Sequence, residues 1–138
     1  MKRFLLDTNV VSEVRKHKPH GAVIAWLTNL REDQIFISAV TLGEVQAGIE
    51  MTRRQDAAKA KEIENWVDQQ EASYRILPMD SVVFREWGRL MHGKSDHLVE
   101  DGMIAATART QGLVVATRNE IDFKQLDVAV FNPLVARP

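Results

Sequence analysis

The sequence predicts an α/β fold in which a parallel β-sheet of four to five strands is flanked by helices, with a helical hairpin in the middle of the chain. Short apolar, β-branched runs alternate with longer segments of helical periodicity, which is the pattern of a parallel sheet covered by helices. The chain has 138 residues, of which 45% are hydrophobic, and it contains no repeat or linker. We therefore predict one domain over residues 1–138.

Five runs have the character of buried strands, and turn-forming or polar residues end most of them. In chain order they cover residues 3–6, 35–37, 75–77, 113–116 and 128–131. The first run ends on Asp7, the second on Ser38, and the third, which is the weakest, is stopped by Pro78. This spacing leaves room for helical connections between strands.

The segments between these runs have helical periodicity. They cover residues 9–16, 21–31, 40–52, 57–71, 81–91 and 100–111. Asp80 provides an N-cap for the fifth helix, and Gly112 provides the usual C-terminal stop of the sixth. The third and fourth helices follow each other without a strand, so they form the predicted central hairpin. The fourth has a buried stripe of Ala60, Ile63, Trp66 and Val67.

The composition excludes several classes of protein. There is no cysteine, which rules out disulfides and thiolate zinc sites, and the four histidines lack ligand spacing. No apolar run approaches the roughly twenty residues of a membrane span, and Asp7 ends the apolar start too early for a signal peptide. We therefore expect a cytoplasmic protein. The net charge of −1 gives no general affinity for nucleic acid, so any such contact must be local.

Asp7 is the first of three carboxylates that a solvated surface does not explain. It follows the first strand directly, and ligands bind at the carboxyl ends of strands in open parallel sheets. An aspartate here can equally cap the next helix. The two roles are compatible.

Glu44 is the second of these carboxylates. Its helical neighbours, Thr41, Ala47 and Gly48 among them, are small or apolar, so we expect its side chain to point into that face. A carboxylate in such a place is normally paired, hydrogen-bonded, protonated or bound to metal. The alternative is that Glu44 lies at the edge of the stripe and reaches solvent.

Asp101 is the third carboxylate, and it shares a helix face with Ile104, Ala105 and Ala108. An acid in the first turn interacts favourably with the helix dipole, but the neighbouring Glu100 alone would supply that interaction. Acids from three separate elements indicate a site for a hard divalent cation such as Mg²⁺ or Mn²⁺. Such a cation can activate water and stabilise charge on a phosphate.

Four segments carry recognisable motifs in order along the chain. They are LLDTNVVSE at 5–13, SAVTLGEVQAG at 38–48, DGMIAATA at 101–108 and VATRN at 115–119. Together they resemble the PIN-domain family in its VapC and FitB branch, and the ending DVAVFNP at 127–133 resembles FitB-type members too. Each motif is weak alone, but their order across essentially the whole chain is specific.

The resemblance implies a PIN fold and a Mg²⁺- or Mn²⁺-dependent endoribonuclease, the toxin of a type II toxin–antitoxin system. By motif position Asp7, Glu44 and Asp101 match the acidic, metal-binding triad. Asp7 and Asp101 are the first candidates for direct ligands, while Glu44 would bind metal through water or activate the attacking water.

Asn119 departs from the pattern, because many family members have a fourth acid at that position. Its amide can hold a metal-bound water but adds no charge, so a second tightly bound metal is not implied. Glu120 or Asp122 could substitute, although neither occupies the matching position. We therefore keep Asn119 as a candidate catalytic residue beside the triad.

Three further residues are candidates for substrate binding. Thr8 and Thr117 match hydroxyl positions beside the first acid and the fourth motif. Arg118 follows the fourth strand and could contact an RNA phosphate, although pairing with Glu120 or Asp122 is an equal alternative.

The resemblance also implies partners. They are an antitoxin whose amphipathic helix binds in a groove, a second copy of the chain, and operator DNA reached only through the antitoxin. Two other functions stay open. A haloacid-dehalogenase-like phosphatase would need an acid where this chain has Asn9, and a non-catalytic PIN-fold module acting through its partner is favoured only by Asn119.

Overall fold

The computed structural model describes residues 1–135 and contains a five-stranded sheet in the order β3-β2-β1-β4-β5. The strands are β1 (Phe4–Leu6), β2 (Ile35–Ser38), β3 (Arg75–Leu77), β4 (Val114–Ala116) and β5 (Val130–Phe131). All neighbouring strands pair in parallel, which confirms the predicted α/β fold. Of the predicted domain 1–138, the last three residues lie outside the described part.

Seven α-helices connect and cover these strands within residues 1–135. They are α1 (Thr8–Arg15), α2 (Gly21–Thr28), α3 (Ala39–Arg53), α4 (Ala57–Ser73), α5 (Ser81–Leu90), α6 (Val99–Gln111) and α7 (Glu120–Lys124). As predicted, the Asp80 side chain caps α5, and Gly112 ends α6 with a φ of 67° in the left-handed region. The sequence did not predict α7. No helix among the described residues is long and apolar enough to cross a membrane.

The alternation of side chains along the strands produces a core on each face of the sheet. Phe4 and Leu6 of β1 pack with Val10 of α1 and Val23 of α2 on one face. Leu5 packs on the other face with residues from α6 and α7, including Ile104, Ala105 and Phe123. The sheet is therefore covered on both faces, as a parallel sheet requires.

The hairpin of α3 and α4 has a smaller core of its own. Ile49 of α3 packs against Ala60, Ile63 and Val67 of α4, which confirms most of the predicted stripe. Trp66 is only half-buried and reaches both this cluster and the core beneath α1 and α2.

A buried carboxylate fixes the turn between α1 and α2. Glu13 accepts hydrogen bonds from Lys16 Nζ at 2.9 Å and from the His20 backbone N–H at 3.0 Å. These contacts hold the pKa of Glu13 below its ordinary value. His20 in turn caps α2 through Nδ1, so this histidine has a structural role that the sequence did not indicate.

The position of β1 determines where a ligand can bind. β2 lies on one side of β1 and β4 on the other, so successive connections leave the sheet in opposite directions from this strand. Such a reversal opens a crevice at the carboxyl ends of the strands. The crevice lies over Asp7, which is the residue after β1.

We expect Phe123→Ala to lower the free energy of unfolding by about 3–5 kcal/mol, measured by urea denaturation. Phe123 is fully buried and is the only buried residue of α7, so its removal leaves a cavity where this helix meets the sheet. Ile121→Ala is the matched control, because Ile121 is 77% exposed on the same helix and should change stability by less than about 0.5 kcal/mol. Equal effects of the two substitutions would contradict this account of how α7 is anchored.

Candidate active site

The Asp7 side chain is buried at the carboxyl end of β1, with only 5% of its surface exposed. Oδ2 accepts from the Thr117 hydroxyl at 2.8 Å and from Asn9 Nδ2 at 3.1 Å, and Oδ1 accepts from the Thr8 backbone N–H at 2.8 Å. Burial raises the pKa of Asp7, while the bonds from Thr117 and Thr8 act against that rise. Asp7 is thus both the N-cap of α1 and a member of the crevice.

Glu44 of α3 lies beside this aspartate and is half-buried. The Thr8 hydroxyl lies 3.0 Å from Glu44 Oε1 and 3.0 Å from Thr41 Oγ1, so one threonine contacts both α3 and, through its backbone, Asp7. The expectation that Glu44 points into a packed apolar face was wrong. Of the residues on that face, Thr41 is buried against the core, but Ala47 and Gly48 are exposed. Glu44 therefore borders an open cavity.

Asp101 of α6 completes the predicted triad from the other side of β1. Asn119 Nδ2 lies 3.3 Å from Asp101 Oδ2 and 2.9 Å from Asp122 Oδ2, so one amide bridges two carboxylates. Asp122 belongs to the first turn of α7. Of the two acids that the sequence offered as substitutes at this position, Asp122 therefore lies at the site through Asn119, whereas Glu120 accepts from Asn132.

Burial and the charges of neighbouring carboxylates raise the pKa values of Glu44 and Asp101. Burial raises the pKa of Glu44 to about 7, and the carboxyl of Glu100 and the charge of Asp7 add to the effect. Burial likewise raises the pKa of Asp101 to about 6, with contributions from Asp7, Asp122 and Glu100. We refer to Asp7, Glu44, Asp101 and Asp122 as the acid cluster.

Thr117 and Asn9 connect the strand ends around this cluster. Besides donating to Asp7, the Thr117 hydroxyl accepts from the Asn119 backbone N–H at 2.9 Å. Asn9 Oδ1 accepts from the Arg118 backbone N–H at 3.2 Å, while its Nδ2 donates to Asp7. This role of Asn9 was not predicted from the sequence, although its place two residues after Asp7 is a local signal for such a contact.

Arg118 is exposed at the rim of the crevice, and its charge lowers the pKa of Asp7. None of the ion pairs among residues 1–135 includes it. Glu120 instead accepts from Asn132 Nδ2 at 3.2 Å, and Asp122 lies 3.8 Å from His97 Nε2. The ion pair of Arg118 with Glu120 or Asp122, which the sequence left open as an alternative, is therefore not formed.

The arrangement leaves clustered negative charge without a lysine or arginine ion-pair partner. No lysine or arginine among the described residues forms an ion pair with Asp7, Glu44 or Asp101. No three carboxylate or imidazole groups in residues 1–135 surround a single position closely enough to enclose an ion by themselves. The site is thus an open set of hard oxygen donors.

Comparison with known proteins relates the chain to one family over nearly all of its length. A family model described as "PIN domain" matches residues 4–129. Toxin FitB of Neisseria gonorrhoeae is 36% identical over 94% of this chain and 96% of its own. VapC ribonuclease Y4jK of Sinorhizobium fredii is 34% identical over the same shares. The tRNA(fMet)-specific endonuclease VapC of Shigella flexneri is 30% identical over 91% of this chain and 93% of its own.

Solved structures share the fold. The structure of FitAcB from Neisseria gonorrhoeae superimposes with a TM-score of 0.80 at 37% identity, covering 94% of this chain and 97% of that chain. The structure of FitAB bound to an IR36 DNA fragment gives a TM-score of 0.85 at 34% identity, with 98% of both chains covered.

We expect the stability of the metal-free protein to fall as the pH rises from about 5 to 8. The raised pKa values mean that the folded state binds more protons than the unfolded state between the ordinary carboxyl pKa and the values near 6 and 7. The stabilising contribution is complete below the unfolded pKa values of roughly 4 and is lost as pH rises through 6 and 7. Urea denaturation across this range measures it.

Glu44→Gln should flatten this dependence and raise stability at pH 8 by on the order of 1–2 kcal/mol, because the charge that repels its neighbours is gone. Glu62→Gln, which alters a glutamate side chain 72% exposed on α4, is the control and should follow the parent protein. A Glu44→Gln profile that coincides with the parent profile would contradict the assigned repulsion.

Proposed function

This chain belongs to the PIN-domain family, with toxins of the FitB and VapC type among its relatives, and on that premise we propose that it is a Mg²⁺- or Mn²⁺-dependent endoribonuclease. The observation that carries the proposal is the acid cluster, four carboxylates from different elements that meet at the carboxyl edge of the sheet. The names of two relatives, a ribonuclease and a tRNA-specific endonuclease, support the same reaction class.

The acid cluster fits a hard divalent cation in its chemistry. Its donors are oxygen atoms, its carboxylates lack lysine or arginine partners, and burial raises the pKa of three of them, which a bound cation would reverse. Asp7, Asp101 and Glu44 would hold the ion, and an open site suits Mg²⁺, which keeps several waters and takes phosphate oxygens. When bound, the ion would activate water and neutralise charge on the phosphate.

In the hydrolysis, the chain's own residues would hold the Asp7 carboxylate in place and transfer a proton. The Thr117 hydroxyl and Thr8 backbone N–H hold the Asp7 carboxylate in one orientation. Glu44, whose half-buried carboxylate borders the open cavity, suits the transfer of the proton from the attacking water. The water oxygen then bonds to phosphorus, the bond to the leaving ribose oxygen breaks, and that oxygen takes a proton from solvent.

Substrate contacts would come from residues around the cluster. Arg118 is exposed and unpaired among the described residues, so it can contact a phosphate next to the scissile bond. Thr8 contacts Glu44 and Asp7, and Thr117 contacts Asp7. The two hydroxyls can therefore orient a bound water in addition to holding the Asp7 carboxylate. Asn119 would act through its bridge between Asp101 and Asp122, rather than as the missing acid.

We further propose that the protein is the toxin of a type II toxin–antitoxin pair, acts in the cytoplasm and forms a homodimer. The antitoxin would bind through an amphipathic helix and would make the contacts to operator DNA. The support is the similarity to FitAcB and to FitAB bound to DNA. The alternative of a non-catalytic module is less favoured, because Asp122 offsets the neutral Asn119 that suggested it.

We expect the purified protein, freed of any antitoxin, to cleave RNA with Mg²⁺ or Mn²⁺, and Asp7→Asn to reduce the rate by about a hundredfold or more. The measurement is gel analysis of total cellular RNA, with EDTA abolishing cleavage. Asp33→Asn, which changes an aspartate side chain 67% exposed, should cleave at the parent rate. A folded protein that binds Mn²⁺ but cleaves no RNA would contradict the ribonuclease proposal and favour the non-catalytic binding module.

We also expect Asp122→Asn to weaken Mn²⁺ binding or cleavage by about ten- to a hundredfold, because Asp122 shares the Asn119 amide with Asp101. Calorimetric titration with Mn²⁺ and the cleavage assay measure the two quantities. The control is Glu120→Gln on the same helix, which retains an oxygen to accept from Asn132. If the two variants behave alike, Asp122 is not part of the site.

A further inference from the structure

A groove leads away from the acid cluster along α1. Its first part is a cavity of about 230 Å³ lined by Thr8 and Glu44 and, further along α1, by Ser12 and Arg15. Thr8, Ser12 and Arg15 are spaced by four and three residues, which places them on one face of the helix. This polar face therefore runs from the acid cluster to the C-terminal end of α1.

A second cavity continues the first along α4. It has a volume of about 320 Å³ and shares Arg15 and Ile63 with the first cavity. Its other lining residues all come from α4, and they are Lys59, Glu62, Asn65, Trp66 and Gln69. We refer to the two cavities together as the α1–α4 groove.

The groove carries two cations that are available to an anionic ligand. Arg15 is in none of the ion pairs among residues 1–135, and Lys59 meets Glu62 only at 3.5 Å, with both side chains at least half exposed. An exposed pair of this kind is weak and easily exchanged. Arg53 of the same hairpin differs, because Glu64 holds it at 3.2 Å. Arg15 and Lys59 thus place positive charge that is available to a ligand within the groove.

The part of the acid cluster around Asp101 carries further negative charge. Glu100 and Asp122 lie close enough to Asp101 to raise its pKa through their charges. A phosphodiester backbone that extended over this part would meet further carboxylates, whereas beyond Glu44 the lining of the α1–α4 groove has two basic side chains, Arg15 and Lys59, and one exposed acid, Glu62. Charge therefore favours one direction for a polyanion that passes the acid cluster.

The outer part of the groove can also contact unpaired bases. The half-buried Trp66 packs on two core clusters and still lines the cavity, so its indole is a fixed surface on which a base can stack. The amides of Asn65 and Gln69 can donate to and accept from base edges. A lining with this many polar groups suits a nucleic acid strand better than the apolar face of an amphipathic helix.

We propose that the α1–α4 groove binds the single-stranded RNA segment on one side of the scissile bond, with Arg15 and Lys59 at phosphates and Trp66 beneath a base. This assignment rests on the proposed ribonuclease function and adds to it a substrate subsite and a requirement for unpaired RNA. Duplex RNA keeps its bases stacked inside, so it cannot use Trp66.

The test is the affinity for a fluorescein-labelled single-stranded RNA of mixed sequence, measured by anisotropy over a range of salt concentrations. All variants carry Asp7→Asn, so that the RNA stays intact. Arg15→Gln and Lys59→Gln should each weaken binding about three- to tenfold and reduce the slope of log affinity against log salt by about 0.7. Trp66→Leu should weaken binding roughly five- to a hundredfold, and Trp66→Phe should restore most of it.

Arg85→Gln is the matched control, since Arg85 is an exposed arginine on α5, outside the groove. Circular dichroism verifies that Trp66→Leu is folded, and the two charge variants test the groove independently of that residue. If Arg15→Gln and Lys59→Gln bind like the control while the parent chain, with Asp7 intact, cleaves RNA, the groove assignment is overturned and the ribonuclease function stands. A protein that neither binds nor cleaves RNA overturns both.

Discussion

The hydrogen bond from the Thr117 hydroxyl to the Asp7 carboxylate joins the ends of the two central strands, and the rest of the site depends on it. Its 2.8 Å length is possible only because β1 and β4 are neighbours that end at the same level, with Leu6 opposite Ala116. The same hydroxyl accepts from the Asn119 backbone, which directs the chain into α7 and so brings Asp122 toward Asp101. One side chain thus links the acids on both sides of β1.

The acid cluster is placed at a cost in electrostatic free energy. Burial of these carboxylates removes water from them, and the charges of neighbouring acids add to that effect, so the pKa values of Glu44 and Asp101 rise. The two cores of the sheet hold them there, with Leu5 and Phe123 fully buried beneath the crevice. A site that destabilises the fold is typical of a place selected for chemistry, because stability alone would favour neutral residues.

The sequence predicted the fold well because its signals are local and redundant. Strand runs, the Asp80 cap and the Gly112 stop each depend on a few adjacent residues, and all agreed with the structure. Local signals also singled out Asp7, Glu44 and Asp101 as candidates, and the structure brings the three carboxylates close enough for the charge of Asp7 to act on the other two. Asp122 was undervalued because α7 has five residues and one buried side chain, too few to show a period. The exposure of Ala47 beside Glu44 was missed because small residues are compatible with either a packed or an open face.

The distribution of charge around the cluster explains how a chain of net charge −1 could act on a polyanion. A protein with little overall positive charge gains little from counterion release on arbitrary nucleic acid, so its affinity must come from a few placed contacts. Arg118 lies close enough to Asp7 to lower its pKa, and Arg15 lines the α1–α4 groove. Where non-specific attraction is weak, stacking and base-edge contacts carry a larger share of the binding free energy, and an RNA that exposes unpaired bases beside the cleaved bond is then preferred over other RNA.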